Sequence, residues 1–366
     1  MTPAPQPTRP AFALTELAVV AAIALTLAVV LLPALTHARQ SAMNQASVAN
    51  LHLIGQISAQ YSADNADAIF TYSWQRGVGY TYLPTGIIRF YGSDQEAAAA
   101  QAQDILMRAT GRLEGTGRIL TPFSRLVHRR YSHLPLADYM GGPAIMLDLW
   151  NDPADANQIH WRNNPLAFLE AGSGFPYADG QPDVPGYDTD ANWTQASIVQ
   201  LWPFASSYQA VPASWSQDTA PTYIPIEDTP HLFAQLFAGA PLIPLGGRTT
   251  TEVRAPSAKV HLFEEFDREQ PGSPYFAYDH ARPAKLMFDG AVNTLPSGRA
   301  NSSTSPEAPN VPWTQHYLPI DTFPIPLDGL GSTTHLNMRY RWTRGGLQGL
   351  DYPIPSPRTP TRFNRP

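Results

Sequence analysis

Side chains able to do acid–base, nucleophilic or metal chemistry are scattered along this chain rather than gathered into a motif. The ten histidines include no HExxH arrangement and no pair three or four residues apart, the spacings that put two ligands on one helix face. Cysteine is absent, which removes thiolate metal sites, thiol catalysis and disulfides. There is no G-x-S-x-G, Walker A loop or G-x-G-x-x-G. Glu264, Glu265 and Asp267 follow a strand-like run, so two acids share a side. General acid–base work needs a cleft and separated pKa values, and the sequence displays neither, so these three read as exposed strand-end charges. His128 and His133 sit among Arg125, Arg129 and Arg130, a cluster able to hold an anion that reads first as a solvated basic face. Asp188-Thr189-Asp190-Ala191-Asn192 has the opening of a calcium loop. Trp193 replaces the glycine of its sharp turn, however, and Val199 replaces the bidentate acid. Asp188, Asp190 and Asn192 are therefore weak calcium candidates in an acidic surface loop. No catalytic residue and no cofactor is assigned, and the chain reads as a non-enzyme.

The most telling ionisable residue is Glu16, because of where it stands. It begins an apolar run, and from Leu17 to Leu35 there are 19 residues without a charge, interrupted only by Thr26 and Pro33. At 1.5 Å per residue this is about 28 Å of helix, close to the hydrocarbon thickness of a bilayer. A cleaved secretory signal would have an apolar stretch of about 7–15 residues and then a small-x-small site. Thr36-His37-Ala38 is a poor version of that site. An acid costs about 3 kcal/mol near the membrane centre, so one kept at this depth implies a function and a partner. Arg9 and the amine before it favour a cytoplasmic N-terminus, with everything after Ala38 on the other side.

Ala11-Phe12-Ala13-Leu14-Thr15-Glu16-Leu17 resembles the prepilin cleavage and methylation signal of type IV pilins and type II secretion pseudopilins. In that family a peptidase cuts on the cytoplasmic side, before a phenylalanine that is then N-methylated, and an acid lies at the fifth mature position. Counted from Phe12, Glu16 is the fifth residue, and Pro33 falls at the twenty-second, where pilins commonly carry a proline that loosens their long helix. One departure is Ala11, where the family usually has glycine. The resemblance implies cleavage between Ala11 and Phe12, and a Phe12 amine that a neighbouring subunit offers to Glu16. Breaking such a buried pair strands a charge at about 3–5 kcal/mol, so the pair sets axial register between subunits.

Past the membrane the helix is expected to continue as an amphipathic segment over residues 36–64. Ala42, Ala46, Ala49, Leu53 and Ile57 recur at helical spacing as one apolar stripe. Gln40, Asn44, Ser47, Gly55 and Ser58 lie opposite, with Leu51 the exception. Asp64-Asn65 supplies a stop. This segment also resembles the linker helix of the large pilin-like proteins of planctomycete-type bacteria, which usually have a cysteine near the position of Ala49 or Asn50. Beyond it come β-like runs IFTYSW, GYTYLP and GIIRFYG. A helix follows, opened by a Ser93/Glu96 capping box and closed at Gly111, and then further runs ASIVQLWPF, AKVHLFEEF and AKLMF. Pro296 to Pro312 reads as loop. Asp289-Gly290 between apolar strands predicts a two-residue type I′ hairpin. With His280 upstream it resembles the His–Asp-Gly element near the C-terminus of the planctomycete family, one residue shorter between His and Asp. Its reading is structural: the turn closes a hairpin and His280 fixes the preceding loop.

The chain has 366 residues, 43% of them hydrophobic and 11% aromatic, enough for a sizeable core. Its 37 prolines argue against an all-helical body, and a net charge of −6 gives no case for nucleic acid. The expected class is α+β: a long N-terminal helix, transmembrane in its first half, packed on a large globular domain with an antiparallel sheet. The expected layout is leader 1–11, transmembrane helix 12–35, helix continuation 36–64, globular domain 65–352 and a Pro/Arg-rich tail 353–366. The resemblance implies a pseudopilin, a minor structural subunit of a type II secretion or type IV pilus-like filament. It implies a single-pass protein of the bacterial inner membrane with a periplasmic or extracellular domain. The implied partners are a prepilin peptidase, other pilin-like subunits, an inner-membrane assembly platform and membrane lipid. The alternative is a membrane-anchored surface protein that binds a ligand such as a glycan through Trp193, Trp202 and Trp215.

Overall fold

A computed structural model describes residues 14–113, 119, 131–140, 148–163, 204–215, 246–270, 272, 274–305, 308–312, 314–317 and 334–353. Ala11, Phe12, Asp188, Asp190, Asn192, Trp193, Trp202, most of the ASIVQLWPF run and the tail beyond Pro353 lie outside these.

The chain begins with one helix, α1, spanning Leu14–Asp64 over 51 residues with Pro33 inside it. Alanine and leucine favour the helix, and in the first half the hydroxyls that interrupt them are satisfied internally. Thr26 donates to the carbonyl of Ala22 at 2.8 Å and Thr36 to that of Leu32 at 2.7 Å. After Asp64 the chain enters the left-handed region at Ala66 and Asp67, and the Asp67 N–H bonds back to the Ser62 carbonyl at 2.8 Å. That reversal stops the helix.

The second half of α1 docks on the domain through Ser47, Leu51, Ile54, Ser58 and Ser62, all buried. This is a different face from the apolar stripe read from sequence. Ala42, Ala46 and Ala49 are exposed and Leu53 is 46% exposed; only Ile57 reaches the core's edge. The serines are buried because the domain and the helix supply their partners. Ser47 donates to Glu264 and its oxygen lies 2.8 Å from the Tyr208 hydroxyl, while Ser62 donates to the carbonyls of Ser58 and Ala68. Gly55 admits close approach, since a Cβ there would stand 2.9 Å from Leu286 Cδ1.

The central sheet has four antiparallel strands in the order β3 (Tyr208–Ala210), β4 (Val260–Glu264), β5 (Lys285–Met287), β6 (Val292–Asn293). Tyr208 pairs with Glu264 and Leu262 with Leu286, with a register shift between Val260 and Leu262. Tyr208, Leu262 and Leu286 join Leu51, Ile54, Phe70 and Trp150 in one core. Phe263 and Met287 join Phe276, Tyr340 and Trp342 in a second. The fold is α+β, a long helix against antiparallel sheet.

Three local expectations are corrected. Among the described residues IFTYSW forms no ladder, and the one bridge nearby joins the preceding Ala68 to Thr249; the N–H groups of Ser73 and Trp74 bond instead to the Gln101 side chain at 2.7 and 3.0 Å. The stretch Pro296–Pro312 is not all loop, because β7 (Thr304–Ser305) pairs with β8 (Ala308–Pro312). The β5–β6 turn has three residues, Phe288-Asp289-Gly290, with positive φ at Gly290 (84°) and not at Asp289. Gly290 N–H bonds the Met287 carbonyl at 3.0 Å and Met287 N–H bonds the Ala291 carbonyl at 2.8 Å, the pattern of a type I turn with a glycine bulge. Asp289 keeps a negative φ because its carboxylate accepts the Ala291 N–H at 3.0 Å.

Elsewhere GYTYLP and GIIRFYG pair as β1 (Tyr80–Tyr82) and β2 (Ile87–Arg89). Helix α2 (Asp94–Thr110) has Ser93 as its N-cap, accepting the Glu96 N–H at 3.2 Å. Glu96 reaches back to the N–H of Gly92 at 2.9 Å, and Gly111 at φ 68° closes the helix. A short helix α3 covers Ala156–Asn163, and β9 (Thr314–Tyr317) pairs with β10 (Thr334–Asn337).

Candidate functional site

The first half of α1 is long and apolar enough to serve as a membrane anchor or a signal sequence, and none of its apolar window is buried in the domain. Leu17, Leu25, Val29 and Leu32 are each more than 60% exposed, which excludes the reading of this segment as a core helix. Glu16 lies exposed in the first turn, where a carboxylate interacts favourably with the helix dipole. Pro33 sits inside the helix, where it withholds the N–H that would bond the Val29 carbonyl.

The docked half of α1 leads to a second site. Glu264, Glu265 and Asp267 are all buried, so their reading as exposed strand-end charges is overturned. The end of β4 faces α1 and the segment around Asn151–Asp155 rather than water. Glu264 accepts the Ala284 N–H at 2.8 Å and the Ser47 hydroxyl. Asp267 accepts the Arg282 N–H at 2.6 Å. Asp152 is fully buried; its Oδ1 accepts the Ala154 N–H at 2.6 Å, while its Oδ2 receives no hydrogen bond and lies 4.0 Å from Arg268 Nη1. Asp155 stands at the start of α3, accepting the Gln158 N–H at 3.1 Å, the Ser207 hydroxyl at 2.9 Å and Arg268 Nη2 at 2.7 Å. One oxygen each of Asp152, Glu264 and Glu269 converge within 4.8 Å of one another.

Burial, then the charges of Asp152 and Glu269, holds Glu264 well above the ordinary carboxylate range. Burial, then Asp152, pushes Glu269 up to about 7. Burial also raises Asp152, against the pull of Arg268. A group of this kind, all carboxylate oxygens with no imidazole or thiolate, can share protons or hold a hard cation.

Sequence reasoning missed Asp152, Asp155, Arg268 and Glu269 as members of this group. Its one available signal was the density of acids around a single arginine in EEFDRE, since Asp152 and Asp155 lie in a run, NDPAD, that reads as a turn. His280 is exposed, its ring 5.8 Å from that of Tyr278, and Asp289 and Gly290 form the hairpin turn already described. His133 is buried with its ring 5.2 Å from Trp150, so it is no part of a solvated face; His128 and the neighbouring arginines lie outside the described residues. Trp215 is buried against Tyr72, with ring centroids 5.3 Å apart, and offers no exposed platform for a glycan.

The chain matches no family model, no curated protein and no solved structure.

Proposed function

We propose that this chain is a pilin-like pseudopilin subunit, processed before Phe12 by a prepilin peptidase and assembled by its N-terminal helix into a type II secretion or type IV pilus-like filament. The carrying observation is the division of one continuous helix. From Glu16 to Ala46 it carries no fully buried residue, and from Ser47 it is fastened to the domain. That undocked stretch makes about 47 Å of helix, against about 30 Å of bilayer hydrocarbon, so the domain is held clear of the membrane. An anchor alone needs no acid at its first apolar turn, whereas a subunit that pairs with a neighbour's amine does. The domain is bulky for a repeating filament unit, which favours a minor or tip subunit. In this reading the other pilin-like subunits and an inner-membrane assembly platform are partners, the N-terminus is cytoplasmic and the domain is periplasmic or extracellular. The function is assembly rather than catalysis.

The test is the mature N-terminus together with a Glu16 variant. Mass spectrometry of the membrane-isolated protein is expected to give a chain beginning at N-methylated Phe12. Glu16→Ala is expected to be inserted and processed but absent from sheared filaments. A chain beginning at Met1, or filaments that take up Glu16→Ala as well as the parent, would overturn the proposal and leave an ordinary anchor.

A further inference from the structure

We propose that Asp152, Glu264 and Glu269 bind a hard divalent cation of calcium size at the seam where α1 meets the domain. Three observations carry this. One oxygen from each residue lies within 4.8 Å of the others, so one point stands no more than about 2.8 Å from all three, close to the calcium–oxygen range of about 2.3–2.6 Å. Asp152 is fully buried, yet its Oδ2 receives no hydrogen bond, and the Oε1 of Glu269 is likewise enclosed and without a donor. Buried carboxylate oxygens are otherwise hydrogen-bonded, so two without a donor in a single group mark a place for a ligand.

Arg268 does not already fill that place. Its Nη2 is committed to Asp155 at 2.7 Å, and its Nη1 stands 4.0 Å from Asp152 without a hydrogen bond. With Asp155 matched to Arg268 and Asp152 only at the edge of its reach, the group holds more acids than cations, an excess that a divalent ion would offset. The donors are all oxygens, which selects calcium, magnesium or manganese over zinc or copper. Glu269 is only partly buried, so it lies on the path by which an ion enters and keeps room for water ligands. Glu264 is also the residue that accepts from Ser47 of α1, so the ion would sit one side chain from the docked helix.

The experiment uses the full chain in detergent, stripped with chelator and titrated calorimetrically with calcium, magnesium and manganese chlorides in turn. About one equivalent of calcium is expected to bind, to bind more tightly than magnesium, and to raise the melting temperature. Glu269→Gln, a near-isosteric substitution at a partly exposed position, is expected to keep the fold and to weaken calcium at least tenfold. Asp152→Asn is expected to do the same, and if it fails to fold the Glu269 variant decides alone. The double variant Asp188→Asn/Asp190→Asn is expected to keep the parental affinity. The proposal is overturned if no cation binds, if Glu269→Gln binds calcium as the parent does, or if the Asp188/Asp190 pair abolishes binding.

Discussion

Replacing Leu51 and Leu53 one at a time by alanine tests which face of α1 is docked. The two leucines are two residues apart, and so about 200° apart around the helix. Leu51 is fully buried in the core that contains Ile54, Phe70 and Trp150, whereas Leu53 is 46% exposed and outside that core. Deleting a fully buried leucine loses its transfer energy and leaves a cavity, for about 3 kcal/mol or more. Deleting a half-exposed leucine loses part of the transfer energy and regains a little helix propensity, for a net change within about 0.5–1 kcal/mol. The difference of about 2 kcal/mol or more is readable in urea unfolding of the full chain in detergent micelles, followed by the fluorescence of its buried tryptophans. With a slope of about 2–3 kcal/mol per molar urea, Leu51→Ala is expected to move the midpoint by about 1 M and Leu53→Ala by no more than about a third of that. Equal shifts, or a larger one for Leu53→Ala, would mean that the alanine stripe through Ala42, Ala46 and Ala49 is the packed face. The serine-lined seam described above would then be wrong.

Burial alone lowers the pKa of His261 to about 3, with its ring stacked on Phe288 at 4.2 Å and 5.2 Å from Phe70. The unfolded chain takes up this proton below about pH 6.5 and the folded one does not, so stability is full above that pH and falls as pH drops, by about 2 kcal/mol at pH 5. His261→Leu should flatten that part of the pH profile of the urea midpoint, and an unchanged slope would refute the assignment. The buried Lys259–Asp351 ion pair, at 3.2 Å, is expected to cost about 3–5 kcal/mol when Lys259→Met strands the acid. Most of that loss should return in the Lys259→Met/Asp351→Leu double variant, and a single variant as stable as the parent would show that the pair carries no such burden.

Several elements were legible from sequence for local reasons. The apolar first half of α1 needed only length and an absence of charge; α2 declared its ends through Ser93, Glu96 and Gly111; β4 and β5 stood out as short apolar runs. The turn at Asp289-Gly290 was found in place, but its type was not, because whether Asp289 takes positive φ depends on how its carboxylate is used. The acid group was hidden for a different reason. Ser47 and Glu264 are 217 residues apart in sequence, and nothing in the neighbourhood of either says that it will be enclosed. A run such as EEFDRE looks solvated until the tertiary fold brings α1 and the Asp152 segment over it.

The error over the docked face of α1 has a physical cause that separates the two halves of one helix. Hydropathy ranks side chains by their transfer into a medium without donors or acceptors. Lipid is such a medium, and a threonine there could only bond back to its own helix's carbonyls, as Thr26 does to Ala22. A protein surface is not such a medium. It presents Tyr208 and Glu264 to Ser47, and the carbonyl of Ala68 to Ser62, so a serine can be buried there at little cost while alanines on the opposite face stay in water. A small hydroxyl side chain also lets the helix come close to the sheet, as Gly55 does over Leu286. The apolar scale therefore located the segment with lipid-like character and misassigned the face that meets protein. Hydropathy therefore fails most readily on helix faces rich in serine and glycine that approach a sheet end carrying acids.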